Sequence, residues 1–250
     1  MSAWYEDTFG HDYLSLYPHR NDEEAERNVA GILRLIDPPR GEPLLDLCCG
    51  AGRHLIALRR AGFTCLTGLD LSADLLAEAR VRLDAESMED IQLLRADMRE
   101  IPGNGAYSTI VSLFTSFGYF ENGGEDERVL RSAFRALSHN GTFVLDTLHR
   151  AYVLANLVPA EEVELDGKRI IVRRHISDDG LRVEKETRIT QPGFPEIMYR
   201  ESVRMYEKRE IEHLLRKTGF LNPRFYGSLQ GRAFSADSPR LVFVASKAES

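Results

Sequence analysis

Three cysteines in 250 residues are too few, and odd in number, for a disulfide framework. Cys48 and Cys49 are adjacent, which is not the spacing of a CxxC zinc clasp. No stretch nears the roughly 20 apolar residues that a membrane-crossing helix needs. The opening MSAWYEDTFG has neither the basic head nor the apolar run of a secretory leader. Positive charge is not in excess either: 32 Lys+Arg against 39 Asp+Glu leave a net charge of -7. Phosphate backbones reward a clustered positive face, so this balance argues against a nucleic-acid partner. No internal repeat, low-complexity tract or metal-ligand cluster stands out. The expectation is a soluble cytoplasmic protein with reduced, packed thiols, no membrane partner and no metal. A hydrophobic fraction of 43% is enough for one sizeable core.

What is present is a rhythm. Residues 1–20 concentrate Trp4, Tyr5, Phe9, Tyr13 and Tyr17, and exposed aromatics are costly, so this segment reads as a cover. NDEEAERNVAGILRLI predicts a helix. Asn21 or Asp22 caps it, acids fill its first turn, and Val29, Ile32, Leu33 and Ile36 form one apolar stripe. DPPRGEP ends it. Short apolar strands then alternate with helices. Strands are predicted over residues 44–48, 65–70, 91–96, 109–114 and 142–147, and helices over 53–61, from a Ser72 cap through Leu83, and over 125–137. Such alternation predicts an α/β fold with a doubly wound parallel sheet covered on both faces. After about residue 150 the pattern changes. KRIIVRRHIS, LRVEKETRIT and EIMYRESVRMY alternate in charge, and DDG and QPGFP suit hairpin connectors. They predict a small inserted antiparallel β-sheet within residues 161–206. EKREIEHLLRKTGF returns to helix, and residues 220–228 and 241–246 predict a closing antiparallel pair.

The stretch LLDLCCGAGRH, residues 44–54, carries the chemistry. In a doubly wound sheet, ligands sit beyond the carboxyl ends of the strands where strand order reverses. Gly50 and Gly52 allow a sharp turn and a close approach of ligand to backbone, and the following helix offers free N–H groups to an anionic group. A dinucleotide fingerprint GxGxxG fails, because Leu55 holds the third glycine position. Asp46, just ahead of the turn, would repel a pyrophosphate and suits an ammonium or a sulfonium. Asp70 ends the second predicted strand, where an acid accepts from a ribose diol. Asp97 ends the third, where a carboxylate can accept the exocyclic amine of adenine. An amino acid part, a ribose and an adenine, in that order, make S-adenosylmethionine.

With TGLDLSADLLAEAR, RADMREIP, IVSLFTSFGYF and GTFVLDTLHR, this stretch makes the chain resemble the class I S-adenosylmethionine-dependent methyltransferases. Within them it is most similar to bacterial small-molecule enzymes carrying DLCCGxGRH and FTSFGYF. The resemblance covers about residues 40 to 150, and more loosely 207–247; SHNG departs from the usual turn before the fifth strand. It implies a seven-stranded Rossmann-like sheet with an N-terminal helical lid. The division expected is 1–40 lid, 41–150 cofactor core, 151–206 inserted sheet as substrate cover or subunit interface, and 207–250 completion of the core. It implies that Tyr17 and Arg20 in the lid help hold the methionine part, with Arg20 pairing its carboxylate. The other residues expected at the cofactor are Asp46, Cys48, Gly50, Gly52, Arg53, Asp70, Leu71, Asp97, Met98 and Phe114.

Each of these has a plainer reading: Asp70 as helix support, Arg53 as a solvated cap, Met98 as core, the cysteines as small packing groups. FTSFGYF follows the fourth strand, and Phe114, Phe117, Tyr119 and Phe120 are candidates to line an acceptor pocket or to fill the core. Tyr119 can orient an acceptor through its hydroxyl. His149, just past the fifth strand, is either a general base at the same rim or a surface histidine. The arginines of the insert are either cross-strand partners of its glutamates, a site for an acidic substrate, or part of an interface. The expected function is methyl transfer to an N, O or C atom of a small-molecule acceptor, by a monomer or homodimer. A nucleic-acid methyltransferase, disfavoured by the missing NPPY-type tetrad, and a non-catalytic cofactor-binding module are the alternatives.

Overall fold

Helices capped by Asn21, Gly52, Ser72 and Asn122 alternate with mostly short strands, a pattern that covers both faces of one sheet. The computed structural model describes residues 4–5, 21–165 and 167–248. Its elements begin with helix α1 (Asp22–Ile36), strand β1 (Leu44–Leu47), α2 (Arg53–Arg60), β2 (Leu66–Asp70), α3 (Ala73–Ala85) and β3 (Gln92–Arg95). Then come β4 (Tyr107–Ser112), α4 (Gly123–Ala136), β5 (Leu137–Leu148) and a short α5 (Arg150–Asn156). The insert supplies β6 (Ala160–Leu165), β7 (Lys168–Ile176), β8 (Arg182–Thr190) and β9 (Ile197–Arg204). The chain closes with α6 (Lys208–Thr218), β10 (Leu221–Tyr226) and β11 (Arg240–Ser246).

Seven strands form the main sheet in the order β10-β11-β5-β4-β1-β2-β3. β1 to β5 run parallel, and β11 is antiparallel to both β5 and β10. The order reverses between β1 and β4, which opens a crevice above their carboxyl ends. One face packs Val29 and Ile32 of α1, Leu55 of α2 and Leu83 of α3 against Leu44, Val111, Val144 and Val242. The other packs Val129 and Leu130 of α4 and Ile211 and Leu215 of α6 against Leu45, Leu47, Ile110 and Phe143. The α/β class, the seven strands and the inserted sheet thus stand as the sequence implied.

Two details differ. The fifth strand leaves α4 directly at Leu137, and SHNG is a bulge inside it: Asn140 is left-handed at φ 61, and the register with β4 slips between Tyr107 and Thr109. The short helix α5 was not predicted, since RAYVLAN is seven residues with no buried side chain and no stripe to read. No described helix is long and apolar enough to cross a membrane.

The insert is a four-stranded antiparallel sheet, β6-β7-β8-β9. Its own core is thin, built on Ile170, Val172 and Ile189. Arg169 pairs with Glu162, Arg174 with Glu161 and Arg188 with Glu186, the cross-strand and near-neighbour pairing expected of a solvated ladder. Arg182 and Arg204 turn toward the main domain instead.

Candidate functional site

The crevice between β1 and β4 holds a cleft of about 630 Å³, within the range of small-molecule sites. Its floor is the turn after β1. Cys48, Gly50 and Gly52 are all left-handed, at φ 63, 54 and 77, so the chain coils tightly before α2. A Cβ on Gly52 would stand 3.2 Å from Ala79 of α3, and this glycine lets the two helices close on the turn. Gly52 gives α2 no side-chain cap, which leaves the first N–H groups of that helix for another acceptor.

Three acids stand around this floor. Asp46 is 1% exposed, does not line the cleft, and has its Oδ2 buried without a partner. Burial pushes its carboxyl up to about 7, against the pull of nearby Arg53 and aided by Asp70. Asp70 does line the cleft. Its two oxygens accept from Gly50 N at 2.8 Å and Ser72 N at 2.9 Å, so it pins the glycine turn to the end of β2. Burial raises its carboxyl in spite of those bonds. Asp97 lies on the lining too. It accepts from Arg99 N at 2.8 Å and from Arg99 Nη2 at 2.6 Å. Burial opposes its ionisation, but the Arg99 bonds prevail and hold the carboxyl low.

Leu71, Met98, Cys48 and Arg53 border the same space. Cys48 Sγ approaches Met98 Sδ at 3.7 Å. Burial and the neighbouring Asp70 and Asp46 push the Cys48 thiol well up, so it stays protonated and acts as a packing group. Arg53 bonds Glu24 of α1 at 2.6 Å and lies 4.4 Å over the Phe114 ring.

The far wall follows β4. Phe114, Ser116, Tyr119 and Phe120 line it, with Tyr5 joining them from the N-terminal segment. Tyr5 and Phe120 meet edge to face at 5.5 Å, as do Trp4 and Tyr119 at 4.9 Å. Phe117 is 1% exposed and belongs to the core. Phe114 and Thr115 are both left-handed, at φ 67 and 66, an uncommon state for a β-branched residue. Long-range bonds hold the pair there. Asp146 Oδ2 accepts from Phe114 N at 3.2 Å, and the Asp146 carbonyl from Thr115 N at 3.1 Å. Arg240 Nε donates to Asp146 Oδ1 at 2.7 Å, and its Nη2 to Thr115 Oγ1 at 2.6 Å.

The expectation that His149 stands at this rim is corrected. Its ring is 2% exposed, is absent from the cleft lining, lies 2.9 Å from the Ser238 carbonyl through Nδ1, and packs edge-on to Phe234 at 4.9 Å. The first residue after β5 turns inward beneath the loop before β11, which gives the imidazole a structural place. Tyr17 and Arg20 lie outside the described residues. Reading by sequence missed Asp146, Arg240 and Thr115. An acid inside the apolar strand FVLDT was a signal for Asp146; Arg240 and Thr115 carried none, since their roles exist only once β11 lies beside β5.

Residues 44–141 match the family described as a methyltransferase domain. The chain is 30% identical over 175 residues, 69% of it and 71% of the relative, to the dTDP-3-amino-3,4,6-trideoxy-alpha-D-glucopyranose N,N-dimethyltransferase of Streptomyces venezuelae. It is 27% identical over 224 residues, 87% of it and 86% of the relative, to the dTDP-3-amino-3,6-dideoxy-alpha-D-glucopyranose N,N-dimethyltransferase of Streptomyces fradiae. Among solved structures, the S-adenosylmethionine-bound amino pentose methyltransferase CalS10 of Micromonospora echinaspora shares the fold. It superposes with a TM-score of 0.69 at 21% identity, covering 94% of this chain and 96% of that one.

Proposed function

The chain belongs to the S-adenosylmethionine-dependent methyltransferases acting on small molecules, and from that premise we propose that its acceptor is the amine of an amino sugar. The single observation that carries the reading is the aromatic wall of Phe114, Tyr119 and Phe120, which lines the same cleft as Asp70 and Asp97. Two groups that could take a proton are out of play: the Cys48 thiol is held protonated, and His149 lies outside the cleft against the Ser238 carbonyl. A neutral amine suits such a wall: its lone pair attacks the methyl carbon as the carbon–sulfur bond breaks, and the proton the nitrogen then carries passes to solvent before a second transfer. Two relatives are named for N,N-dimethylation of amino sugars, which points the same way.

S-adenosylmethionine, when bound, supplies a sulfonium methyl open to direct displacement. The residues present fit it. In this reading Asp70 accepts from the ribose diol while keeping the glycine turn closed. Asp97 and Met98 face the adenine, with Leu71 packing beside it. The turn at Gly50 and Gly52 and the free N–H groups at Arg53 receive the amino acid end. Asp46 beneath them, whose buried Oδ2 lacks a partner and whose carboxyl burial holds up near 7, would ionise more readily beside its positive charge. Cys48 and Phe114 close the space near the transferring carbon. Tyr119 orients the acceptor. Rate enhancement then rests on alignment of acceptor and donor and on exclusion of water, and no nucleic acid enters the reading.

Incubation with labelled donor and a dTDP-linked 3-amino sugar tests this, followed by mass spectrometry. Successive addition of one and two methyl groups at nitrogen is expected. Transfer only to an oxygen or carbon acceptor in a metabolite extract, with the amino sugar untouched, overturns the amine.

A further inference from the structure

Two arginines of the inserted sheet behave unlike their neighbours: Arg204 turns to Glu210 of α6, and Arg182 to the loop after β4. Arg169, Arg174 and Arg188 spend their guanidinium groups on glutamates at the surface. Arg182, the first residue of β8, reaches across to the back of the aromatic wall. Its Nη1 donates to the Phe120 carbonyl at 3.0 Å, and its Nη2 to the Gly118 carbonyl at 3.1 Å and the Tyr119 carbonyl at 3.3 Å. Three consecutive carbonyls therefore converge on one cation. Charge-assisted bonds of this kind are the strong ones, and the planar fork fixes direction as well as distance.

The guanidinium is itself fixed. Ser202 of β9 accepts from Arg182 Nε at 2.8 Å through its hydroxyl, and from Nη2 at 2.6 Å through its carbonyl. Arg182 pairs in register with Arg204, and Arg204 N donates to the Gly118 carbonyl at 2.7 Å. Gly118 is left-handed at φ +95, and a Cβ there would stand 2.5 Å from the Arg204 carbonyl. Only glycine lets β9 close on the loop. The side chains of Tyr119 and Phe120 line the cleft while their carbonyls are held from the insert.

We propose that Arg182 is the positioning residue of the acceptor wall: by binding the carbonyls of Gly118, Tyr119 and Phe120 it sets where the Tyr119 and Phe120 rings stand, and so makes the inserted sheet part of acceptor recognition. The proposal rests on the reading that this wall seats the acceptor. It assigns Arg182 no contact with substrate; it acts through the loop.

The chain offers a built-in reporter. Trp4 is its only tryptophan, and it donates from Nε1 to the Tyr119 carbonyl at 3.3 Å. The test uses full-length protein labelled with 5-fluorotryptophan and saturated with S-adenosylhomocysteine. Arg182→Lys and Arg182→Met are expected to shift or broaden the fluorine resonance. Affinity for S-adenosylhomocysteine by calorimetry stays within about twofold, as for independent sites. Arg169→Ala, in the same sheet, leaves the resonance in place. With the dTDP-linked amino sugar, KM for the acceptor rises about 10- to 100-fold while donor affinity holds; lysine does not rescue, because it lacks the fork. Should both variants fail to fold, Ser202→Ala releases part of the same grip and shifts the resonance in the same direction by less. An unmoved resonance and acceptor KM in the variants overturns the proposal, as does an equal loss of donor affinity. If wild type does not methylate the amino sugar, the acceptor assignment falls, while the fluorine and calorimetric results still judge Arg182.

Discussion

The two halves of the cleft are held together on different scales. On the proposed donor side most key bonds are short in sequence, Asp70 to Ser72, Asp97 to Arg99 and Asp70 to Gly50 in the preceding turn, with Arg53 to Glu24 of α1 the longest at 29 residues. On the acceptor side the loop from Phe114 to Phe120 hangs from Asp146, Arg182, Arg240 and Trp4, all distant in the chain. The first half is built from adjacent βα turns, complete once β1, β2 and β3 are paired. The second is assembled from four separate regions and carries two left-handed non-glycine residues, against one, Cys48, in the first. On the proposed reading the donor half is the more local and the acceptor half the more distributed, so the two can vary independently.

The sharpest break of this contrast is Asp70→Ala. It removes an acceptor of two backbone N–H groups and the proposed ribose partner together. Since hydrogen bonds to charged groups are worth about 1.5–3 kcal/mol each, S-adenosylhomocysteine affinity should fall by roughly 100-fold or more. Calorimetry reads this directly; an affinity within a few fold of wild type would refute the assignment.

Arg240→Met attacks the other half. It leaves the Asp146 carboxylate, whose side chain is 4% exposed, buried without its cation. The cost in denaturant unfolding should be about 3 kcal/mol, and kcat should drop while donor affinity changes little. Equal losses at both ligands would show that the halves are one unit.

Asp46 supplies a pH test. Its folded carboxyl titrates near 7, from an ordinary value of 3.8, because of burial. The folded value lies above the unfolded one, so the native state is favoured by this group at low pH, and that favour is lost as pH rises through about 7. Asp46→Asn removes the dependence. Measured against wild type, the variant should gain about 2 kcal/mol of stability between pH 5 and pH 8. A constant difference across that range would place the ionised carboxylate in a far wetter setting.

The smallest effect is expected at His149. His149→Asn keeps a polar atom near the Ser238 carbonyl, and the pH profile of kcat should keep its shape. Loss of a limb near neutrality would return the imidazole to the chemistry.

The same contrast explains what could be read from sequence. Strand and helix alternation, the glycine turn and the acids at three strand ends are periodic or local, and each left a mark within a few residues. Asp70 was legible because it must end a strand. His149 was misplaced at the rim because a residue after a strand end has two faces open to it, and the loop carrying Ser238 decides which one is buried. SHNG read as a turn, because a bulge and a turn draw on the same residues. The grips of Arg182 and Arg240 left no mark, since an arginine bonded to a carbonyl far along the chain looks like any other arginine in a charged strand.

The Arg182 grip also bears on how such an enzyme changes its taste for acceptors. Because the guanidinium reads carbonyl oxygens, which every amino acid has, it is indifferent to what residues 119 and 120 display toward the cavity. The loop is a fixed mount with exchangeable faces. Descendants could trade tyrosine or phenylalanine there for smaller or more polar groups and meet new molecules, with the course of the main chain preserved.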